Sequence, residues 1–242
     1  MKRKLRISGM TWLLIGIALL FSLGGVMTAL RGTRETPRTD VTAAEALSYF
    51  VAHDFMNTDG GVTFADVAPP GSPADKAGLI GGDVITSFDG QAVKNKDDMV
   101  ALLKRTPPGK TVEVIYTRDG ETKKAHLTTA SRQEFDELAD RFENRPEGQG
   151  QLGFNDGQAE RVAIPGTKVY GIRLGGLSLS GPAALAGIQK GDIIIEFDGV
   201  PIRTVGELAT RVRRAKPYSL VKVIVMRGTE QLEIPVKMGK RG

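Results

Sequence analysis

Residues 72–93 read SPADKAGLIGGDVITSFDGQAV, and 109 positions later residues 181–202 read GPAALAGIQKGDIIIEFDGVPI. The two stretches align without a gap: Pro73, Ala74, Gly78, Asp83, Phe88, Asp89 and Gly90 meet Pro182, Ala183, Gly187, Asp192, Phe197, Asp198 and Gly199. The same offset carries Val112, Val114, Ile115 and Arg118 onto Val221, Val223, Ile224 and Arg227. A period this long exceeds that of a solenoid and suits a duplicated domain. In each copy a strand, GVTFADV (61–67) or GIRLGGL (171–177), leads to a short helix opened by proline and stopped by Gly78 or Gly187. The β-branched runs DVITSF and DIIIEF follow, closed by Asp-Gly turns at 89–90 and 198–199. A second helix is capped by Asn95, with Met99, Leu102 and Leu103 on one face, or by Thr204, with Leu208 and Val212. Hairpins turning at Asp119-Gly120 and near Gly228 end each unit. The expected class is α+β: two partly open β-barrels, each capped by two helices.

Composition narrows the chemistry. Gly makes up 30 of 242 residues, Cys is absent, and the only histidines are His53 and His126. Disulfides, thiolate zinc sites and cysteine nucleophiles are thereby excluded. His53 shows no acid-hydroxyl partnership, which favours a packed or surface imidazole. The net charge of +5 is largely an N-terminal property. Lys2, Arg3, Lys4 and Arg6 stand in a segment, 1–30, that has no acid, leaving 29 basic against 28 acidic groups. No nucleic-acid surface is expected from that balance and 6% aromatics.

From Ile7 to Leu30 run 24 uncharged residues between Arg6 and Arg31. As a helix they would span roughly 36 Å, against a hydrocarbon core of about 30 Å. This predicts a transmembrane helix over 7–30, in preference to a cleaved signal peptide, because Met27 fits poorly three residues before a cut after Ala29. The four basic residues before the span, against Arg31, Arg34 and Arg38 after it, favour a cytoplasmic N-terminus in an inner membrane, with the rest extracytoplasmic or periplasmic. Between the copies, SRQEFDELADRFENR has Ser131 and Glu134 at capping-box spacing and Phe135, Leu138 and Phe142 on one face, which predicts a linker helix that packs on a domain.

Both copies resemble PDZ domains of the bacterial type that follow HtrA-family protease domains. The resemblance rests on P-A-x-x-A-G-Φ, then G-D-Φ-Φ, F-D-G, a groove helix and a final hairpin, at about 60–128 and 170–238. With the apolar run and the linker readings, it gives this organisation: a basic flank over 1–6, a membrane anchor over 7–30, a flexible linker over 31–44, a PDZ-like domain over 45–130, a helical linker over 131–147, a second PDZ-like domain over 148–238 and a tail over 239–242. It also implies a peptide bound as an added strand between a sheet edge and the second helix, with a glycine-containing loop receiving the terminal carboxylate. In copy two, Gln151, Leu152, Gly153 and Phe154 resemble that loop, and Val205, Ala209 and Arg213 form the facing i, i+4, i+8 stripe of the helix. Val205 implies an apolar ligand side chain two residues before the terminus. A plain glycine-rich interdomain turn is the alternative reading of the loop. The pattern G-x-G-x-x-G at Gly148, Gly150 and Gly153 is no dinucleotide fingerprint, since neither a preceding strand nor a following helix is expected. In copy one the possible second groove has Tyr49, Phe50 and Val51 at the loop slot and Lys96, Val100 and Lys104 on the helix. The slot lacks glycine, and TAAEALSYFVAHDF reads as well as an amphipathic helix.

A resemblance to HtrA proteins raises proteolysis, but the G-N-S-G-G nucleophile motif is absent, as are H-E-x-x-H and a Walker loop. The expected function is non-catalytic: a membrane-anchored tandem PDZ protein that binds C-terminal or extended segments of other proteins as an adaptor or sensor in extracytoplasmic quality control. Alternatives are a structural subunit of a membrane or secretion assembly and a regulatory partner of a separate protease. No metal and no small-molecule cofactor is expected; the partners are proteins or peptides, with the membrane contacted through 7–30.

Overall fold

The computed structural model describes residues 42–50 and 54–242. The anchor expected over 7–30, most of the linker over 31–44, Val51 and His53 lie outside them. Among the described residues no helix is long and apolar enough to cross a membrane.

The first half opens with helix α1 (Ala43–Ser48), N-capped by the Thr42 hydroxyl. Its antiparallel sheet runs in the order β1 (Met56–Thr58), β2 (Gly61–Thr63), β3 (Val84–Phe88), β5 (Thr111–Arg118), β6 (Glu121–Thr128), with β4 (Gln91–Ala92) paired to β3. Helix α2 (Pro73–Lys76) is the proline-initiated turn and α3 (Lys96–Arg105) the longer helix, capped by Asn95. After the linker helix α4 (Arg132–Glu143) and the short strand β7 (Gly150–Gln151), the second half repeats the plan. Its sheet order is β8 (Ala159–Ala163), β9 (Tyr170–Leu174), β10 (Ile193–Phe197), β12 (Leu220–Arg227), β13 (Glu230–Lys237), with β11 (Val200–Pro201) on β10. Helices α5 (Pro182–Leu185) and α6 (Val205–Arg214) follow the same pattern, and β14 (Gly239–Lys240) pairs with β7.

Alternation drives each sheet. In β5, Val112, Val114 and Tyr116 face inward, and in β12 Val221, Val223 and Val225 do the same. Each half buries its own cluster. Phe50, Phe64, Phe88, Ile85 and Leu103 centre the first, Leu152, Ile172, Ile194, Phe197 and Leu208 the second. Duplication extends to detail: the β3–β5 register shifts between Ile85 and Ser87, and the β10–β12 register between Ile194 and Glu196, 109 residues on. The closing hairpins expected over 111–129 and 220–236 are β5–β6 and β12–β13, in continuous register over 111–128 and 220–237. The sheets are open rather than rolled into barrels, with β1 and β6 at the edges of one and β8 and β13 at the edges of the other. GVTFADV is strand only over Gly61–Thr63; further on, the Asp66 carboxylate accepts the Ala68 N–H at 3.0 Å.

Helix α4 has both capping-box bonds, Glu134 N–H to the Ser131 hydroxyl at 3.2 Å and Ser131 N–H to the Glu134 carboxylate at 2.7 Å. Phe142 at its end is buried beneath the guanidinium groups of Arg145 and Arg213, at 5.0 and 5.3 Å from the ring centre. Arg145 also donates to the Arg214 carbonyl oxygen at 2.9 Å and to that of Arg213, tying the linker to the end of α6.

Candidate functional site: a groove beside the second copy's helix

Between the stretch 150–156 and helix α6 lies a cavity of about 730 Å³. The loop contributes Gln151, Leu152, Gly153 and Phe154, and the helix Gly206, Ala209, Thr210 and Arg213. Strand β7 positions the loop by pairing with β14, and it lies so close to α6 that a Cβ on Gly150 would come within 2.5 Å of the Val212 carbonyl oxygen. Gly153 has φ +84°, and a Cβ there would stand 2.9 Å from the Gly181 Cα. Only glycine meets both demands without strain. Leu152, 1% exposed, forms the apolar floor, and its carbonyl oxygen accepts from the Ala183 N–H at 2.9 Å.

Phe154 faces Leu177 in an isolated antiparallel bridge flanked by two hydrogen bonds, Ser178 N–H to Gly153 O at 2.9 Å and Asn155 N–H to Gly176 O at 3.2 Å. Phe154 is therefore in the wide, non-hydrogen-bonded pair, and its own N–H and C=O point to the opposite edge, where the cavity opens. Across the cavity, Thr210 is 2% exposed, and its hydroxyl is buried without a hydrogen-bond partner. A buried hydroxyl left unpaired in a groove wall is an unmet demand that a ligand polar atom can satisfy.

Of the residues expected from sequence, Gln151, Leu152, Gly153, Phe154, Ala209 and Arg213 meet around this one cavity. Val205 does not line it: in the first turn of α6 it packs against the second core, and Gly206 takes the wall position. The stripe on the groove side is thus Gly206, Ala209, Thr210, Arg213, an i, i+3, i+4, i+7 face rotated by one residue from the expected one. The preference for an apolar ligand side chain inferred from Val205 loses its basis. Sequence reasoning also missed Asp66, Asp156 and Arg241. Nothing local to Asp66 signals a site, because it comes from the other copy.

Helix α6 explains that crossing. The Thr204 hydroxyl accepts the Glu207 N–H at 3.0 Å as a helix cap and donates its own proton to the Ala65 carbonyl oxygen in the first half. Glu207, fully buried, accepts the Gly81 N–H at 2.8 Å and Arg211 Nε at 2.6 Å. Arg203 makes a two-pronged pair with Asp119 at 2.7 and 2.9 Å, and Arg214 pairs with Asp75 at 2.8 Å. Burial pushes the Glu207 carboxyl above the ordinary carboxylate range, against the opposing pull of Arg211 and the Gly81 N–H. The cations that crowd the end of α6 are therefore largely structural: Arg211 and Arg214 go to Asp75, and Arg213 to Glu143 at 3.2 Å.

In copy one the expected slot is filled differently. The Ala74 N–H donates to the Phe50 carbonyl oxygen at 3.2 Å, as that of Ala183 does to Leu152, so Phe50 stands where Leu152 stands. But Tyr49 and Phe50, 5% and 0% exposed, are core residues, and Phe50 packs against Phe55, Phe64 and Phe88 at 5.8 to 6.2 Å between ring centres. With no glycine to let a strand approach α3, the chain forms α1 instead. Lys96 and Val100 are half-buried and Lys104 exposed along α3, and the Lys96 N–H is held by Asn57 Oδ1 at 2.7 Å.

A family model described as a PDZ domain matches residues 52–129 and again 160–238. Among curated relatives, the periplasmic pH-dependent serine endoprotease DegQ of Escherichia coli strain K12 is 28% identical over 169 residues, covering 70% of this chain and 35% of that protein. A probable periplasmic serine protease do/HhoA-like of Haemophilus influenzae is 30% identical over 174 residues, covering 72% and 35%. The chain thus spans about a third of the length of these relatives. Solved structures that align include the HtrA-type protease AlgW with a decapeptide (19% identity, TM-score 0.38, 53% of this chain and 40% of that one). The HtrA3 PDZ domain bound to a phage-derived ligand aligns as well (26% identity, TM-score 0.30, 38% and 89%). The two matched stretches make up more than half of the sequence, and the chain belongs to the PDZ-domain family.

Proposed function

We propose that this protein binds C-terminal or extended segments of other proteins in the groove beside α6, as a non-catalytic adaptor or sensor. The observation that carries the reading is a pair of polar groups across one cavity: the outward N–H and C=O of Phe154 on the sheet side, which no backbone group among the described residues meets, and the orphaned Thr210 hydroxyl on the helix side. An extended chain laid antiparallel to 153–155 would satisfy the first, as in strand addition, and a ligand polar atom the second. Gly153 at positive φ keeps the loop's N–H groups clear of side chains where a terminal carboxylate would sit. The apolar run 7–30 and the periplasmic relatives support an extracytoplasmic location behind a membrane anchor, with PDZ-like domains over 45–130 and 148–238.

The test is a titration of the 242-residue chain against a library of peptides with apolar C-termini, each made with a free carboxylate and with a terminal amide. Binding on the micromolar scale is expected, with the amide weaker by tenfold or more, about 1.4 kcal/mol. Ala209→Trp fills the cavity from the helix without touching the loop and should abolish it. Binding that survives both changes would place recognition elsewhere, and a library with no binder would end the peptide reading.

A further inference from the structure

The glycine loop of the groove, 148–154, has no basic residue of its own. Two cations reach its cavity from elsewhere, Arg213 from the last turn of α6 and Arg241 from just past β14. Arg213 is already engaged, by Glu143 at 3.2 Å and by the Phe142 ring at 5.3 Å from its centre. Arg241 is held through its backbone alone: β14 pairs Gly239 with Gln151 and Lys240 with Gly150, and the Arg241 N–H donates to the Gln149 carbonyl oxygen at 2.9 Å. Among the described residues its guanidinium has no hydrogen-bond or ion-pair partner. The surroundings make a free cation matter there. Strand β7 lies against the C-terminal end of α6, where a Cβ on Gly150 would stand 2.5 Å from the Val212 carbonyl oxygen and 2.7 Å from that of Ala215. This is the negative pole of the helix, so an anion brought beside it is repelled unless a cation accompanies it. Arg145 does not serve, because it is occupied by the Arg213 and Arg214 carbonyl oxygens. The acids of the cavity wall lie away from Arg241: Asp66 is at the opposite end, where Gly206 packs on Ala65, and Asp156 follows the loop in the turn Asp156–Gln158.

We propose that Arg241 is the cation that receives a ligand's terminal carboxylate, and that the groove thereby takes free C-termini in preference to internal extended segments. The inference rests on the peptide reading above and decides between its two ligand classes. The loop and the strand beyond it divide the task. Backbone N–H groups beside Gly153 position the carboxylate oxygens, while Arg241 brings the opposite charge in a planar fork that a carboxylate matches. An internal segment presents a neutral amide at the same place and gains no such charge pairing. Because β14 is bonded to β7, the guanidinium is anchored to the loop it completes, and no rearrangement is needed to bring the two together.

The experiment uses one labelled peptide with an apolar C-terminus in three forms, as the free acid, as the terminal amide and continued by further residues, in fluorescence polarisation on the full chain. The wild type should bind the acid about tenfold more tightly than the other two, a gap that narrows as salt is raised. Arg241→Gln keeps the backbone bond to Gln149 and should weaken the acid about fivefold, to within about twofold of the amide, while leaving the other two forms unchanged. Its remaining gap should not depend on salt. Arg241→Lys should recover part of the loss, since it restores the charge without the fork. Lys240→Gln is the control, because Lys240 packs over Gly148 and is not part of the cavity wall; it should leave all three forms unchanged. An acid preference that survives Arg241→Gln, a loss shared by all three forms, or the same loss at Lys240→Gln overturns the inference while leaving groove binding in place. Equal binding of the three forms by the wild type overturns it as well and assigns the groove to internal segments. Failure of all three, and of the wider library, overturns both readings.

Discussion

The residues that repeat most faithfully are not the ones that face the groove. Asp83 receives Arg118 in two parallel bonds of 2.7 Å and the Ile80 N–H at 2.9 Å, while Arg118 also reaches the Gly78 carbonyl oxygen at 2.9 Å. One period on, Asp192 receives Arg227 at 2.8 and 2.7 Å and the Gln189 N–H at 2.9 Å, and Arg227 reaches the Gly187 carbonyl oxygen at 2.8 Å. Each set ties the turn after the short helix to the far end of a hairpin strand, so the repeated G-D and its arginine are a structural lock. The copies differ in exposure: the Arg118 side chain is 15% exposed and that of Arg227 34%. Removing the acid strands a better-buried cation in the first case. Asp83→Ala should therefore cost about 3 kcal/mol, the lower end of the range for breaking a buried pair, and Asp192→Ala distinctly less. Urea unfolding midpoints of the two variants check the order, and equal costs would show that exposure of the arginine does not matter.

At the scale of elements, what sequence could show was what is local. Helix α4 was legible because Ser131 and Glu134 announce its start, and losing that cap has a local price: Ser131→Ala should cost about 1 kcal/mol and speed amide exchange over the first turn of α4. The start of α6 was legible too, from Thr204. Which of its faces meets the groove was off by one residue, since Val205 in the first turn is apolar enough to be taken into the core and Gly206 gives no hydrophobic signal at all. Strands β7 and β14 were missed for another reason. Two residues long, they take their pairing from distant chain, Gly150 from Lys240, and no alternation can develop over so short a run. In copy one the reading of 42–50 stayed between slot and helix. Burial decided it, because Tyr49 and Phe50 add more to an aromatic core than they could to a shallow groove.

At the scale of the whole molecule, the two halves are joined through the helix that also walls the groove, and no sequence pattern marks this, because its partners lie far apart in the chain, Thr204 with Ala65 and Glu207 with Gly81. Glu207 reads in sequence as an ordinary first-turn acid, yet it is fully buried where the halves meet. Arg211, Asp75 and Arg214 lie to one side of it, and Asp66 repels it from the first half. Burial lifts its carboxyl above the ordinary range, so the folded protein holds that proton more tightly than the unfolded chain does. The contribution to stability is then greatest below the unfolded carboxyl's usual value, and it falls as pH rises from there through the raised folded value. Glu207→Gln keeps an acceptor for the Gly81 N–H but cannot ionise, while every other carboxylate cancels between the two proteins. The urea midpoint of the wild type relative to that of Glu207→Gln should therefore rise as the pH is lowered from neutral through this window. A relative midpoint that falls instead would mean that the ion pair with Arg211 outweighs burial, and that the halves are held together by the charge of Glu207 rather than in spite of it.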